Sequence, residues 1–357
     1  MPQVLKTTKN FFNFPLEIIK KLIILILLTS SIIFTGCATT PTDFSDQGSF
    51  EYVWPSPPEQ PRIKWVRQWF HKYDFGRPSK VLNILVGEER GIRLRRPNGV
   101  VADNAGNVYV ADSEHGIIFV FDQEQGRLRF LGEGVVSAPI GLAVNNKKGI
   151  IFVSDSRIDK VFGLDKNSGR VLIDIGSIGM LKNPSGLAYD EINNKLYISD
   201  TKNHVVRVFD DTGKSIATIG KKGNDNGEFS FPSYLAVDKK GNLYVVDSFN
   251  FRVQIFDSEG RFIRKFGRLG DTSGNFSRPA GIGVDSDGHI YVVDTAFNNF
   301  QIFNDTGKLL LWVGQGGTKP GEFSLPSGLF IDDKDRIYVS DTFNRRVQVF
   351  QYLKEKK

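Results

Sequence analysis

The stretch that decides the fold is residues 241–256, which read GNLYVVDSFNFRVQIF. A turn signal opens it, an apolar run follows, and Asp247-Ser248 ends that run before a second apolar run finishes at Phe256. The same pattern occurs six times, with spacings of 43, 45, 47, 47 and 47 residues between its aspartates: Asp112, Asp155, Asp200, Asp247, Asp294 and Asp341. This periodicity indicates one body of stacked repeats, where the length of 357 residues alone would suggest two domains.

Five of the six repeats predict four strands, and the sixth predicts three. A proline leads the first strand, the second ends at the aspartate, and the third ends nine residues later at a Phe or Leu. The second strands are apolar on both sides, which indicates that both faces are covered. The six leading residues are Pro97, Pro139, Pro184, Pro232, Pro279 and Pro326.

The sixth repeat ends without a fourth strand. Residues 62–70, RIKWVRQWF, have the length and pattern of one and are predicted to supply it, while residues 71–96 cross to the first repeat. Four-stranded sheets at this period are typical of a β-propeller, which hides its sheet edges by radial repetition. We therefore predict an all-β, six-bladed propeller over residues 62–353, with antiparallel four-stranded blades in 97–352 and the last blade closed by an N-terminal strand.

The repeat also resembles a known family. The pattern Pro-x-Gly-Leu-Ala-x-Asp, followed by Tyr-Val-x-Asp-Ser/Thr-x-Asn-x-Arg-Val-x-x-Phe, is similar to the NHL repeat over residues 97–350, most closely in 232–256 and 326–350. The resemblance implies a six-bladed propeller. It implies little about activity, because NHL propellers include protein-binding scaffolds, RNA binders and lyases.

The N-terminal region looks like an export signal. Lys20 and Lys21 precede an apolar run over 22–34, which is shorter than the roughly 20 residues of a membrane-spanning helix. Thr35-Gly36-Cys37 resembles the lipobox of bacterial lipoproteins, which implies removal of residues 1–36 and lipidation of Cys37. The alternative is an uncleaved anchor. Residues 37–61 are Pro/Ser-rich and are predicted to be a tether.

With the repeats, this start resembles the NHL-repeat lipoproteins of bacterial envelopes. Ala38 resembles the class sorted to the outer membrane, so we expect a lipid-anchored protein that faces the periplasm. The formal charge is +6, and beyond residue 36 the chain carries 42 basic against 39 acidic residues, so we expect no nucleic-acid partner. We also expect a monomer. The single cysteine excludes an intramolecular disulfide.

The six repeated aspartates are interpreted as architecture. Each precedes Ser or Thr, a pattern in which a carboxylate accepts backbone N–H groups in a turn. Among the histidines, only His115 and His204 occupy comparable positions, and a catalytic zinc ion needs three converging ligands. These two are weak metal candidates, so we predict no metal, no cofactor and no catalytic residue.

A rim over blades four to six is the candidate binding surface. It combines aromatic, Asn and Arg residues, the composition of a recognition surface: Phe249, Asn250, Phe251, Arg252, Phe297, Asn298, Phe343, Asn344, Arg345 and Arg346. The alternative is that its phenylalanines tuck under neighbouring crossings. Tyr234 replaces a repeated glycine near the axis and is predicted either to line the channel mouth or to fill a gap.

The sequence therefore predicts a membrane-anchored lipoprotein that acts as a non-catalytic binding or scaffold propeller for an envelope protein, peptide or glycan. The alternative hypothesis is a propeller enzyme, a metal-dependent lyase or lactonase that uses the central channel.

Overall fold

The computed structural model describes residues 51–71, 74, 92–176 and 179–354. The predicted signal peptide, Cys37 and the predicted tether up to residue 50 lie outside this part, as does most of the crossing segment 71–96. Within the described ranges, no helix has the length and apolar character needed to cross a bilayer. Short 3-10 helices occur at Thr201–Asn203 and Ser248–Asn250.

Six antiparallel sheets follow the six repeats and confirm the predicted all-β propeller. Blade one contains Pro97–Ala102, Val108–Asp112, Ile117–Asp122 and Arg127–Leu131. Blade two contains Pro139–Asn145, Ile150–Asp155, Lys160–Asp165 and Val171–Ile175. Blade three contains Pro184–Asp190, Lys195–Asp200, Val205–Asp210 and Ser215–Ile219. Blade four contains Pro232–Val237, Leu243–Asp247, Arg252–Phe256 and Phe262–Phe266.

Blade five contains Pro279–Val284, Ile290–Asp294, Asn299–Phe303 and Leu309–Val313. Blade six contains Pro326–Ile331, Arg336–Asp341, Arg346–Tyr352, the closing strand Ile63–Trp69 and the short strand Val53–Trp54. In every blade the leading proline pairs with the repeated aspartate, as Pro97 does with Asp112. The proline and the aspartate of each blade therefore lie at the same end of the sheet.

The closing strand joins the two ends of the ring. It pairs antiparallel with the last strand of blade six, from Ile63 opposite Tyr352 to Trp69 opposite Val347. The Trp69 ring then stacks on Phe121 of blade one at 5.6 Å and on Tyr338 at 6.3 Å. An N-terminal strand thus completes blade six and seals it against blade one, as the sequence predicts.

Blade six carries a fifth strand that the sequence does not predict. Val53–Trp54 pairs with the outer edge of the closing strand, inside the range predicted to be a tether. The Trp54 ring packs on Phe350 at 5.8 Å, and Tyr52 packs on Trp65 at 6.0 Å. The prediction of a tether over 37–61 is therefore wrong for residues 53–54, because these aromatic side chains find apolar surface despite the proline-rich composition around them.

The core lies between neighbouring blades. The second strands are buried on both faces, as in Leu243–Asp247, because each sheet is packed between two others. Near the axis the first strands approach so closely that a Cβ on Gly141 would lie 2.1 Å from the carbonyl oxygen of Ser185. A side chain larger than hydrogen does not fit there, which explains the repeated glycine.

Two faces result from this topology. We call the crossing face the one that carries the turns after the six aspartates and the segments that cross between blades. We call the turn face the opposite one, which carries the turns between first and second strands and between third and fourth strands.

Candidate functional site

The six repeated aspartates are buried and bonded inside the protein. In blade one, Asp112 accepts hydrogen bonds from the backbone N–H groups of Arg95 and Arg96 in the crossing, and from those of Glu114 and His115 in the following turn. Asp155 and Asp294 make the corresponding four-donor arrangement in blades two and five. In these blades the carboxylate holds a turn and a crossing together.

Side chains replace part of those backbone donors in blades three, four and six. Asp247 accepts from the Asn250 amide, from Arg252 Nε at 2.8 Å and from the Gln254 amide. Arg252 also donates to the carbonyl oxygens of Asn224, Asp225 and Glu228 in the preceding crossing. Blade six repeats this arrangement with Asp341, Asn344, Arg346 and Gln348. In blade three, Asp200 accepts hydrogen bonds from the Asn203 amide and from Arg207 Nε.

This finding corrects the predicted binding rim. Arg252 and Arg346 are 6% and 2% exposed, so their guanidinium groups clamp the crossings and do not face a ligand. Asn250 and Asn344 donate to carbonyl oxygens of the crossings as well, at Gly223 and Gly317. The sequence pattern is the one expected of a recognition surface. In the folded protein, however, these Arg and Asn side chains make hydrogen bonds within the propeller.

The remaining rim residues divide by exposure. Phe249 and Phe343 are 65% and 62% exposed, and Arg345 is exposed beside Phe343. Phe251 and Phe297 are half-buried, and Asn298 accepts the backbone N–H of Leu325 at 2.8 Å. Phe249 and Phe343 belong to an apex ring, the exposed second residue after each repeated aspartate: Glu114, Arg157, Lys202, Phe249, Ala296 and Phe343.

The two histidine candidates are used locally. His204 is 8% exposed, and its Nδ1 accepts the backbone N–H of Phe231 at 3.1 Å. Burial, with a smaller effect of Lys222, holds its pKa below the ordinary value. His115 packs on Phe119 at 5.3 Å. Among the described residues, no group of three or more His, Cys, Asp or Glu side chains could hold a metal ion.

The first strands enclose a funnel on the propeller axis, with a volume of about 430 Å³. The first strands of the blades form its wall, with apolar residues such as Leu142, Leu235 and Leu329 among the lining. At its crossing-face end, Tyr234 occupies the position that is glycine in the other blades. Burial raises the pKa of the Tyr234 phenol to about 12, and Ser327 of blade six lies within hydrogen-bonding reach of its side chain. Tyr234 therefore lies across this end of the channel.

The open end of the funnel lies at the turn face. One residue of each turn between the first and second strands lines the cavity there. In blades two and three it directly follows the last residue of the first strand, and in the other blades it follows the aspartate that comes after that strand. We call this set the mouth ring, and all six members are polar and contributed by different blades: Asn104, Asn146, Glu191, Lys239, Ser286 and Asp333.

Contacts between blades order the mouth ring. Asn104 donates its backbone N–H to the Asn146 side chain, and Asn146 donates its backbone N–H to Glu191 Oε1 at 2.6 Å. Lys239 of blade four lies 3.7 Å from Asp333 of blade six. Ser286 donates both its backbone N–H and its hydroxyl group to Asp335. The ring thus presents anchored donors and acceptors of both charges around one opening.

Buried tyrosines brace the turns that carry the ring. In four blades the tyrosine three residues before the repeated aspartate donates its hydroxyl group to the aspartate that begins the turn, as Tyr244 does to Asp238 at 3.0 Å. Burial and the neighbouring carboxylate raise the pKa of these phenols. Sequence reasoning missed the mouth ring. The available signal was a repeat position that is polar in every blade and differs between most of them.

Comparison with protein families agrees with this architecture. A family described as 6-bladed beta-propeller matches residues 182–251, 239–296 and 284–356, and the NHL repeat matches residues 94–121. Among curated proteins, none matches the sequence significantly.

Solved structures show the same fold at low identity. A streptogramin B lyase is 14% identical, with a TM-score of 0.55 over 73% of this chain and 95% of that chain. Virginiamycin B lyase from Staphylococcus aureus is 13% identical, with a TM-score of 0.55 over 82% of this chain and 100% of that chain. An auxiliary nutrient binding protein from Bacteroides thetaiotaomicron is 15% identical, with a TM-score of 0.59 over 73% and 70%. Together with the six sheets and the sequence repeat, these matches identify the chain as a six-bladed β-propeller that contains an NHL repeat in its first blade.

Proposed function

We propose that this protein is a membrane-anchored, non-catalytic binding propeller of the bacterial envelope, and that its central funnel takes the polar end of a peptide or glycan. The observation that carries the proposal is the mouth ring. Six polar side chains, one from each blade, surround one opening. They occupy equivalent positions in the repeat, but the residue type differs between most blades.

Variation at a repeated position is informative because architecture favours the same residue in each blade. The buried aspartates illustrate this, since all six blades keep Asp. The mouth ring instead holds amide, hydroxyl, acidic and basic groups, which can make different hydrogen bonds to one asymmetric ligand. A funnel of about 430 Å³ also falls in the range of roughly 300–1,000 Å³ that is usual for ligand sites.

The anchor is proposed from the sequence alone. The short apolar run over 22–34 followed by Cys37 supports export and lipidation, and hence a location at the envelope, with the outer membrane preferred because of Ala38. Labelling of cells with a fatty-acid analogue tests this proposal. We expect label on the wild-type chain and none after Cys37→Ser, whereas label on both chains would contradict it.

The enzyme hypothesis has less support. Both lyases and a nutrient binding protein share the propeller fold at 13–15% identity, so the fold is compatible with either class. A metal-dependent lyase or lactonase needs converging ligands, and no such cluster occurs among the residues that the structure describes. We therefore propose binding.

A binding screen tests the funnel. The full-length protein in detergent is screened against envelope glycans and short peptides by calorimetry, and each ligand found is measured again with Glu191→Ala and with Asp333→Ala. The matched control is Asp305→Ala, an exposed acidic residue on the same face but outside the mouth ring. We expect at least about a tenfold loss of affinity in the two ring variants, the effect of one lost charged hydrogen bond. Equal affinity in all three variants would overturn the funnel as the site.

A further inference from the structure

The crossing face carries the three most exposed large apolar side chains of the described part of the chain. They are Phe249 at 65%, Leu269 at 64% and Phe343 at 62% exposure. Phe249 and Phe343 belong to the apex ring in blades four and six, and Leu269 lies in the crossing between blades four and five. Single exposed apolar residues are common, but these three all lie on the crossing face, within blades four to six.

The scaffold holds these residues outward. The Phe249 ring contacts Phe231 at 4.8 Å, and its turn is fixed by the hydrogen bond from Asn250 to the crossing. The crossing that carries Leu269 is fixed by a bridge between Leu269 and the buried Phe276. The Phe343 turn is fixed by the hydrogen bond from Asn344 to the carbonyl oxygen of Gly317. Because the backbone is tied down at each site, these side chains stand on a rigid surface.

The charge of the two faces differs. Among the described residues, the turns and crossings of the crossing face contain twelve Lys and Arg residues against eight Asp and Glu residues, whereas the turns of the turn face contain thirteen acidic against ten basic residues. Arg268 and Arg345 are exposed within two residues of Leu269 and Phe343. Lys222 is exposed next to Gly223, whose carbonyl oxygen accepts a hydrogen bond from Asn250, the neighbour of Phe249. Within the described ranges, none of the three forms an ion pair.

The short strand of blade six runs against the closing strand. The closing strand runs from the turn face toward the crossing face, and Val53–Trp54 pairs with it antiparallel. The carbonyl oxygen of Tyr52 accepts the backbone N–H of Trp65, one residue further toward the crossing face. Residues 52–54 therefore run toward the turn face.

We propose that the crossing face rests on an anionic lipid surface, with Phe249, Leu269 and Phe343 between the headgroups and the nearby cations on the lipid phosphates. Apolar side chains flanked by basic residues are the composition of a membrane-interface contact. Each cation near such a surface contributes about a fivefold factor in binding. In this orientation the funnel mouth opens away from the membrane. The inference does not depend on which ligand the funnel takes.

Photo-crosslinking of the full-length protein in vesicles tests this orientation. A photoactivatable residue replaces either Ala296, in the apex ring of blade five, or Thr306, an exposed residue on the turn face of the same blade. The vesicles contain phosphatidylcholine alone or a mixture of phosphatidylcholine with anionic phosphatidylglycerol. We expect lipid adducts at Ala296 in the anionic vesicles and at least about tenfold fewer at Thr306.

Two sets of variants identify the contact. A triple variant that combines Phe249→Ser, Leu269→Ser and Phe343→Ser should lose most of the lipid adducts at position 296. The matched control is Ile216→Ser, Ile263→Ser and Leu310→Ser, which changes side chains of 51%, 45% and 50% exposure on outer strands and should leave the adducts unchanged. Lys222→Glu with Arg345→Glu should reduce them about tenfold or more. Thermal unfolding of each variant verifies folding.

Three outcomes would overturn the proposal: equal adducts at both positions, adducts that persist in the apolar triple variant, or equal adducts in zwitterionic and anionic vesicles. Crosslinking of Ala296 to a protein when envelope extract is added, with no lipid adduct, would show a protein interface instead. Ligand binding in the funnel is measured separately. Either proposal can therefore fail while the other stands.

Discussion

Lys239 Nζ lies 3.7 Å from Asp333 Oδ1, so a side chain of blade four meets one of blade six over the mouth of the funnel. The two side chains are 64% and 72% exposed. Because solvent screens such a pair, it contributes only about 0–1 kcal/mol to stability. The pair is therefore better suited to meeting a ligand than to holding the blades together.

The first prediction separates these two roles. We expect Asp333→Ala to lower the free energy of unfolding by less than about 1 kcal/mol, while it weakens binding of a funnel ligand. Urea denaturation and calorimetry on the same protein measure the two effects. A loss of stability of several kcal/mol would show instead that Asp333 is structural.

The second prediction concerns ring closure. Trp69 is 3% exposed and stacks between blade six and blade one. Trp69→Ala should lower the free energy of unfolding by about 3–5 kcal/mol, the usual result of truncating a large buried aromatic side chain. The neighbouring Val66 is 44% exposed on the same strand, and Val66→Ala should change stability by less than about 0.5 kcal/mol. Similar midpoints of urea unfolding for the two variants would contradict a sealing role for the closing strand.

The third prediction compares two arginines of the predicted rim. Arg252→Ala leaves Asp247 buried without its guanidinium partner and frees three carbonyl oxygens, so we expect a loss of about 3–5 kcal/mol. Arg252→Lys should recover little of this loss, because an ammonium group cannot reproduce the planar fork of donors. Arg345→Ala, at an exposed position, should stay within about 0.5 kcal/mol of wild type. The clamp would be disproved if Arg252→Ala and Arg345→Ala unfolded at the same urea concentration.

The fourth prediction is a pH dependence. The pKa of His204 is held below its unfolded value of about 6.5, so the unfolded chain binds this proton more readily than the folded protein. The stability due to neutral His204 is present above that unfolded pKa and is lost as the pH falls toward the folded pKa. His289 has a raised pKa because of Asp285 and acts in the opposite direction, so a difference measurement is needed.

His204→Asn supplies that difference. Asn298 at the equivalent position of blade five already accepts the backbone N–H of Leu325, so an asparagine should keep the hydrogen bond but cannot titrate. We expect wild type to lose free energy of unfolding relative to His204→Asn as the pH is lowered from 7.5 to 5. These values lie about 1 unit above and 1.5 units below the unfolded pKa. A gap that is constant over this range in urea titrations would exclude the titration of His204.

The sequence by itself determined the number of blades, the place of nearly every strand and the closure of the ring. These features depend on local patterns, since strand periodicity and the proline and aspartate signals can be seen without knowing what lies opposite them. The closing strand could be inferred because the count of fourth strands was one short. The strand at Val53–Trp54 could not, because its two residues become a strand only where Trp54 meets Phe350.

Only the tertiary structure decided which polar residues face solvent. Arg252 and Arg345 occupy adjacent positions of the repeat, five and four residues after the aspartate, but Arg252 is enclosed by carbonyl oxygens 24 to 28 residues away, whereas Arg345 is exposed. The mouth ring likewise joins single residues spread from Asn104 to Asp333. Such residues meet only when the blades close into a ring, because burial and proximity are properties of the packed chain and not of a local stretch of sequence.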